Sequence, residues 1–202
     1  MAEIDYIIPQ QAYEIIREQI AKIVAVEFQN QLNLRGVLGV NFKTFVDRFA
    51  KIDIIDTPCV NVSFDRADYD KNDPSSSQGT FIYNLDFYIA ASSSGGLRAD
   101  TYAAMTVQTA LGWLRAIFQD SRYIRLGFPP GLIGSRAVKS IQIAAPEQAI
   151  DAQTLTMGRL ILEVSATETN GGISQFVLLK DNFTKALLFD TKQGYFWINE
   201  SS

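Results

Sequence analysis

The chain has 202 residues, 47% of them hydrophobic and 20% charged, which fits a globular protein with one full core, or one domain with an appendage. Its formal net charge of −4 excludes a protein that coats nucleic acid by neutralising phosphates, while leaving room for a conduit past which DNA slides without sticking. It has no histidine and a single cysteine, which excludes histidine-based nucleophilic triads, Cys/His zinc sites and an intramolecular disulfide.

The opening "MAEIDYIIPQQ" has no basic stretch followed by an apolar one, and no window reaches the ~18 apolar residues of a membrane span. A protein made and kept in a cytosol is expected. Over residues 9–30, Ala12, Ile15, Ile16, Ile20, Ile23 and Val24 recur at helical spacing, with Pro9 suited to the first turn. The run "LNLRGVLGVNFKTFVDRF" breaks at Gly36 and Gly39. It then places Phe42, Phe45, Val46 and Phe49 at i, i+3, i+4 and i+7, which predicts a short second helix with Lys43 on its exposed side. Lys43 and Thr44 after two glycines do not make a phosphate loop, because Phe42 stands where the backbone needs glycine to curl.

After Pro58, "CVNVSFD" turns Val60, Val62 and Phe64 inward, and "TFIYNLDFYIAA" does the same with Phe81, Tyr83, Leu85, Phe87 and Ile89. Cys59 reads as a small apolar side chain starting the first of these strands. Two antiparallel strands therefore flank Asp65, Asp68, Asp70 and Asp73. Counted from Asp68 as a twelve-residue calcium loop, Asp68, Asp70 and Asn72 fit. Asp73 then stands where the turn needs glycine, and Gly79 where it needs glutamate. Nor is there a buried neighbour to raise a carboxylate pKa for acid catalysis, so the expectation is a solvated hairpin loop.

"SSSGG" lacks the spaced glycines and strand-to-helix setting of a dinucleotide site. Asp100 or Thr101 can cap the next helix, whose stripe is Ala103, Val107, Ala110, Leu111, Leu114, Ile117 and Phe118. Gly112 costs that helix about 1 kcal/mol relative to alanine, which predicts a close backbone contact there. "GFPPGLIGS" is a turn-rich connection to two further strands, "AVKSIQIAAP" and "TLTMGRLILEVSATE". In the second, Leu160, Leu162 and Val164 oppose Met157, Arg159, Ile161 and Glu163. The fold class expected is α+β: an antiparallel sheet of about four strands with helices on one face, forming a core domain over residues 1–169.

Residues 170–202 restart as "SQFVLLK", "ALLFD" and "YFWIN", the last two joined by the turn "TKQG". A four-residue turn puts Leu187, Phe189, Phe196 and Ile198 on one side and Leu188, Tyr195 and Trp197 on the other. Such a C-terminal β-hairpin extension, apolar on both faces, needs a second cover: either a partner subunit supplies it, with Leu188, Tyr195 and Trp197 as the candidate interface, or the strand pair is buried inside the monomer as part of its core. No S-x-x-K or other matched motif appears, so an enzyme is not expected, and no catalytic, cofactor or metal residues are assigned.

The long N-terminal helix, the Pro-led strand "TPCVNVSF", the polar hairpin tip, the second long helix and the closing strand "DAQTLTMGRLILEVSATE" together resemble tail terminator proteins of tailed bacteriophages, over residues 9–169. The segment after Gly172 looks more like additions found in contractile-tail systems. The resemblance implies a virion protein of the tail or neck, assembled in the host cytoplasm as a ring, usually a hexamer. Such a ring caps the tail tube, meets the head connector and, in contractile tails, the sheath, while DNA passes without specific binding. It further suggests that Asp65, Asp68, Asp70 and Asp73 line a negative passage, and that the hairpin accepts a strand from sheath or tube. The alternatives are another neck component such as a head-tail adaptor or stopper, and a small metal-independent enzyme or ligand-binding domain with a pocket under "GFPPGLIGS".

Overall fold

A computed structural model describes residues 10–37, 40, 42–69, 78–91, 98–143, 147–148, 154–167, 179–180, 185–190 and 194–199. Pro9, Asp70 and Asp73 lie outside them. In chain order the elements are α1 (Ala12–Leu34), β1 (Lys43–Val46), β2 (Cys59–Tyr69), β3 (Gln78–Ala91), α2 (Ala99–Gln119), β4 (Ile133–Ile143), β5 (Glu147–Gln148), β6 (Thr154–Thr167), β7 (Leu179–Lys180), β8 (Lys185–Asp190) and β9 (Gly194–Asn199).

The class is α+β. The sheet is mixed, ordered β1-β2-β3-β6-β4 with the two-residue β5 also on β6, and β1 runs parallel to β2 while all other neighbours are antiparallel. Of the two strands beyond the expected four, β5 is a two-residue bridge and β1 is the segment predicted as a second helix. As a helix, Phe42, Phe45, Val46 and Phe49 would share a stripe. Instead Phe42 stacks on Phe28, Phe45 lies under the Arg48 guanidinium, Val46 sits at the sheet edge and Phe49 projects into solvent. Pairing with β2 overrides a periodicity carried by only four residues, all Phe or Val, which suit a strand equally well.

α1 packs over β1 and β2, and α2 over β3, β4 and β6, on one face of the sheet. At the α1 start the Glu14 carboxylate accepts the Gln11 N–H at 2.7 Å, and past its end Gly36 takes the left-handed conformation (φ 69°) that closes the helix, one turn beyond the predicted stop. All seven residues of the predicted α2 stripe are buried. Six of them, all but Ala103, meet Phe81, Tyr83, Leu85, Phe87, Leu160, Leu162 and Val164 in a single core, where each large side chain contributes about 1.5–3 kcal/mol. α2 starts from Arg98 with no side-chain cap; Asp100 lies in the first turn, where its charge suits the helix dipole.

The contact glycine is not the one expected. A Cβ on Gly112 would meet nothing within 4 Å, whereas one on Gly158 of β6 would lie 2.4 Å from Val107 Cγ1 and 2.7 Å from Leu111 Cδ1 of α2. The helix rests on a bare strand backbone. Gly112→Ala is accordingly expected to stabilise the protein by up to about 1 kcal/mol, read as a higher urea midpoint at unchanged slope; a loss would show that Gly112 serves a contact after all.

The C-terminal strands form a separate sheet, β7-β8-β9. Three residues, not four, separate the paired Asp190 and Gly194. The register sets Leu187 opposite Trp197, Leu188 opposite Phe196 and Phe189 opposite Tyr195.

Candidate functional site: the crossover and the open face of the sheet

The face of the sheet away from the helices carries its polar chemistry. β2 turns Asn61 to this face, β3 Asp86 and β6 Arg159, and the register aligns all three with Gln142 of β4. Arg159 Nε and Nη2 donate to the two Asp86 carboxylate oxygens at 2.6 and 2.7 Å, a bidentate pair whose acid is only 5% exposed. That pairing pushes the arginine above its ordinary pKa, against the opposing effect of burial.

Part of this face is covered by the connection from β1 to β2, residues 47–58. Asn61 fixes it by donating Nδ2–H to the Arg48 carbonyl at 3.1 Å and accepting the Arg48 N–H at 3.0 Å. Asp56 receives Lys43 at 2.9 Å and Arg48 at 2.8 Å, while Thr57 Oγ1 donates to the Ile54 carbonyl and accepts the Ala90 N–H. Lys43 is thus an ion-paired strand residue rather than the exposed side of a helix. Ile52 of the crossover and Cys59 at the start of β2 are buried, and burial pushes the Cys59 thiol up to about 11, which makes it inert.

This well-braced crossover nevertheless presents Phe49 to water at 91% exposure and Ile55 at 83%, beside the partly exposed Val46 and Ile54. Rigid backbone carrying a bare aromatic anchor is the arrangement of a binding hot spot, because little entropy remains to be lost on contact. The sequence hid it, since Phe49 reads naturally as the last residue of a helical stripe.

The hydrogen bond from Lys43 is the main influence holding the Asp56 carboxyl below its ordinary 3.8, with Arg48 helping and burial opposing. A depressed carboxylate pKa adds stability that is present above the unfolded value and lost as pH falls through the lower folded one. The crossover is therefore expected to loosen only below about pH 4, and Asp56→Asn to weaken the acid dependence of unfolding there. An unchanged acid limb in the variant would contradict this ionic bracing.

Of the four candidate passage acids, the described two are strand residues and not loop residues. A bulge between Phe64 and Arg66 leaves Asp65 as the extra residue and shifts the later alternation, so that Ala67 and Tyr69 turn to the helix side and Arg66 and Asp68 to the open face. The Asp47 carboxylate secures the bulge by accepting the Phe64 N–H at 3.0 Å and an Arg17 guanidinium proton, from a left-handed backbone (φ 46°) that Asp tolerates. Arg66 bridges both acids, Asp65 at 3.3 Å and Asp68 at 3.2 Å, all exposed. Arg66 offsets one of their two negative charges.

Leu126, Phe128 and Ile133, within or beside "GFPPGLIGS", are packed into the core, and the connection is tied down where Arg136 donates to the Tyr123 and Asp120 carbonyls. No helix among the described residues is long and apolar enough to cross a membrane. No group of three or more acid or thiol side chains among them could hold a metal ion. No protein-family model and no curated protein matches the chain.

Proposed function

We propose that the chain is a structural subunit of a phage-type tail or neck, a tail terminator whose copies close into a ring on the end of the tail tube. The observation that carries this reading is the crossover: a rigid segment at one edge of the sheet with Phe49 and Ile55 almost fully exposed. The opposite edge, β4, exposes a different apolar surface at Ile141 and Ile143. Two unlike sticky surfaces on opposite edges favour head-to-tail association, which closes into a ring when the rotation per copy allows, over a two-fold dimer joined through identical patches. In this reading the work of the protein is assembly, with no bond made or broken. Asp65 and Asp68 keep the hairpin end wetted and acidic beside passing DNA, and the C-terminal strands are left for sheath, tube or head connector.

The test is association of the purified full chain, followed by native mass spectrometry and electron microscopy. A closed annulus is expected. Phe49→Asp should weaken association by at least about thirtyfold, the equivalent of a ~2 kcal/mol hot spot, and leave the melting temperature of the monomer unchanged. A wild-type chain that stays monomeric at every concentration sinks the reading. Binding to tube ends separates a terminator from an adaptor or stopper.

A further inference from the structure

The register carries residues straight across the sheet from one edge to the other. On the helix-bearing face one such line is Val46, Val62, Leu85, Leu160 and Ile141, and the next is Thr44, Val60, Phe87, Gly158 and Ile143. The inner members are buried, while Val46 and Ile141 are each 41% exposed. The hydrophobic core therefore runs off both edges of the sheet at the same height.

The edges differ in how they are guarded. Exposed strand edges are normally protected by bulges or charges. β4 has bulges at Gly134 and Lys139, and Lys139 reaches Glu163 at 2.9 Å. β2 beyond the end of β1 has the Asp65 bulge with Arg66 and Asp68. The stretches without such protection are residues 140–143 of β4, which are regular and uncharged, and the four residues of β1, whose one charge is held by Asp56. They have the same length, and Thr44, Phe45 and Val46 are level with Ile143, Gln142 and Ile141. They are also opposite in polarity: β1 runs with β2 and β6, and β4 runs against them.

We propose that the head-to-tail contact is antiparallel pairing of β4 residues 140–143 with β1 of a second copy, setting Ile141 opposite Val46, Gln142 opposite Phe45 and Ile143 opposite Thr44. This rests on the assembly reading above and names its interface. Among the described residues no strand pairs with the outer side of either edge, so the pairing would satisfy main-chain groups of two edges at once and continue both core lines into the next copy. Phe49 and Ile55 then form a lip over the joint.

A disulfide reads this directly. Opposite residues in an antiparallel pair have Cα atoms about 4.5–5.5 Å apart, within disulfide reach. Within one chain, positions 46 and 141 lie four inter-strand spacings of about 4.8 Å apart, too far to bridge. The double variant Val46→Cys/Ile141→Cys in the full chain, oxidised at assembling concentration, should run on a non-reducing gel as a ladder ending in one discrete largest species. Reducing agent should collapse it to monomer. Each single variant should give dimers at most, and buried Cys59 does not compete. If native mass spectrometry shows the ring but the double variant crosslinks no further than the singles, this interface is wrong and the ring stands. If the chain is monomeric throughout, both fail.

Discussion

Replacing Arg159 with alanine should cost about 3–5 kcal/mol of folding stability. The reason is the acid left behind. Asp86 sits in the middle of the sheet at 5% exposure, and both of its oxygens are occupied by the guanidinium fork. Without the fork a carboxylate remains in a site shaped to exclude water, and an unpaired buried charge costs far more than the pair contributes. Because the Arg159 side chain is itself 36% exposed, some water reaches the vacated space, which places the loss toward the lower end of that range. Arg159→Lys keeps a charge and loses the fork, so an intermediate loss is expected. Asp86→Leu with Arg159→Met removes both partners and should recover most of the stability. Urea unfolding of the four proteins decides the matter; a loss below ~1 kcal/mol for Arg159→Ala would mean that Asp86 is solvated after all.

The second large effect is expected one residue earlier. Gly158→Ala should destabilise by about 2–3 kcal/mol, although alanine is ordinarily the easier residue to order. Its methyl would sit 2.4 Å from Val107 Cγ1 and 2.7 Å from Leu111 Cδ1. Both neighbours are buried in the core, and Val107 is a β-branched residue held to one rotamer in its helix. Since neither side chain can swing away, α2 must lift from the sheet, loosening contacts of the whole buried stripe. Combining Gly158→Ala with Val107→Ala opens the space again, so the double variant should be at least ~1 kcal/mol more stable than the sum of the single losses implies. Strict additivity would show that α2 does not bear on β6 at this point.

Gly158 also separates what could be read locally from what could not. A glycine within α2 advertised a close approach, yet the approach occurs where the helix lands on a strand far away in sequence, and only the docked arrangement reveals it. Asp86 and Arg159 follow the same rule. Alternation placed each on the polar side of its own strand, but their meeting depends on the β3–β6 register. Phe49 was invisible as an anchor for a further reason: four apolar residues fit a helical period and a strand-and-crossover path equally well, and β2 alone decides between them.

By itself the sequence determined the two long helices, the α2 face that is buried, the alternation of β2, β3 and β6 and the inert Cys59, because these follow from side-chain periodicity within one segment. The tertiary structure alone decided that residues 43–46 join the sheet, that a bulge turns Asp68 to the open face, that Asp86 meets Arg159, and that a braced crossover holds Phe49 in water. Each of these is a pairing between segments distant along the chain. Its energy depends on register and on which backbone is bare, quantities that no local pattern encodes.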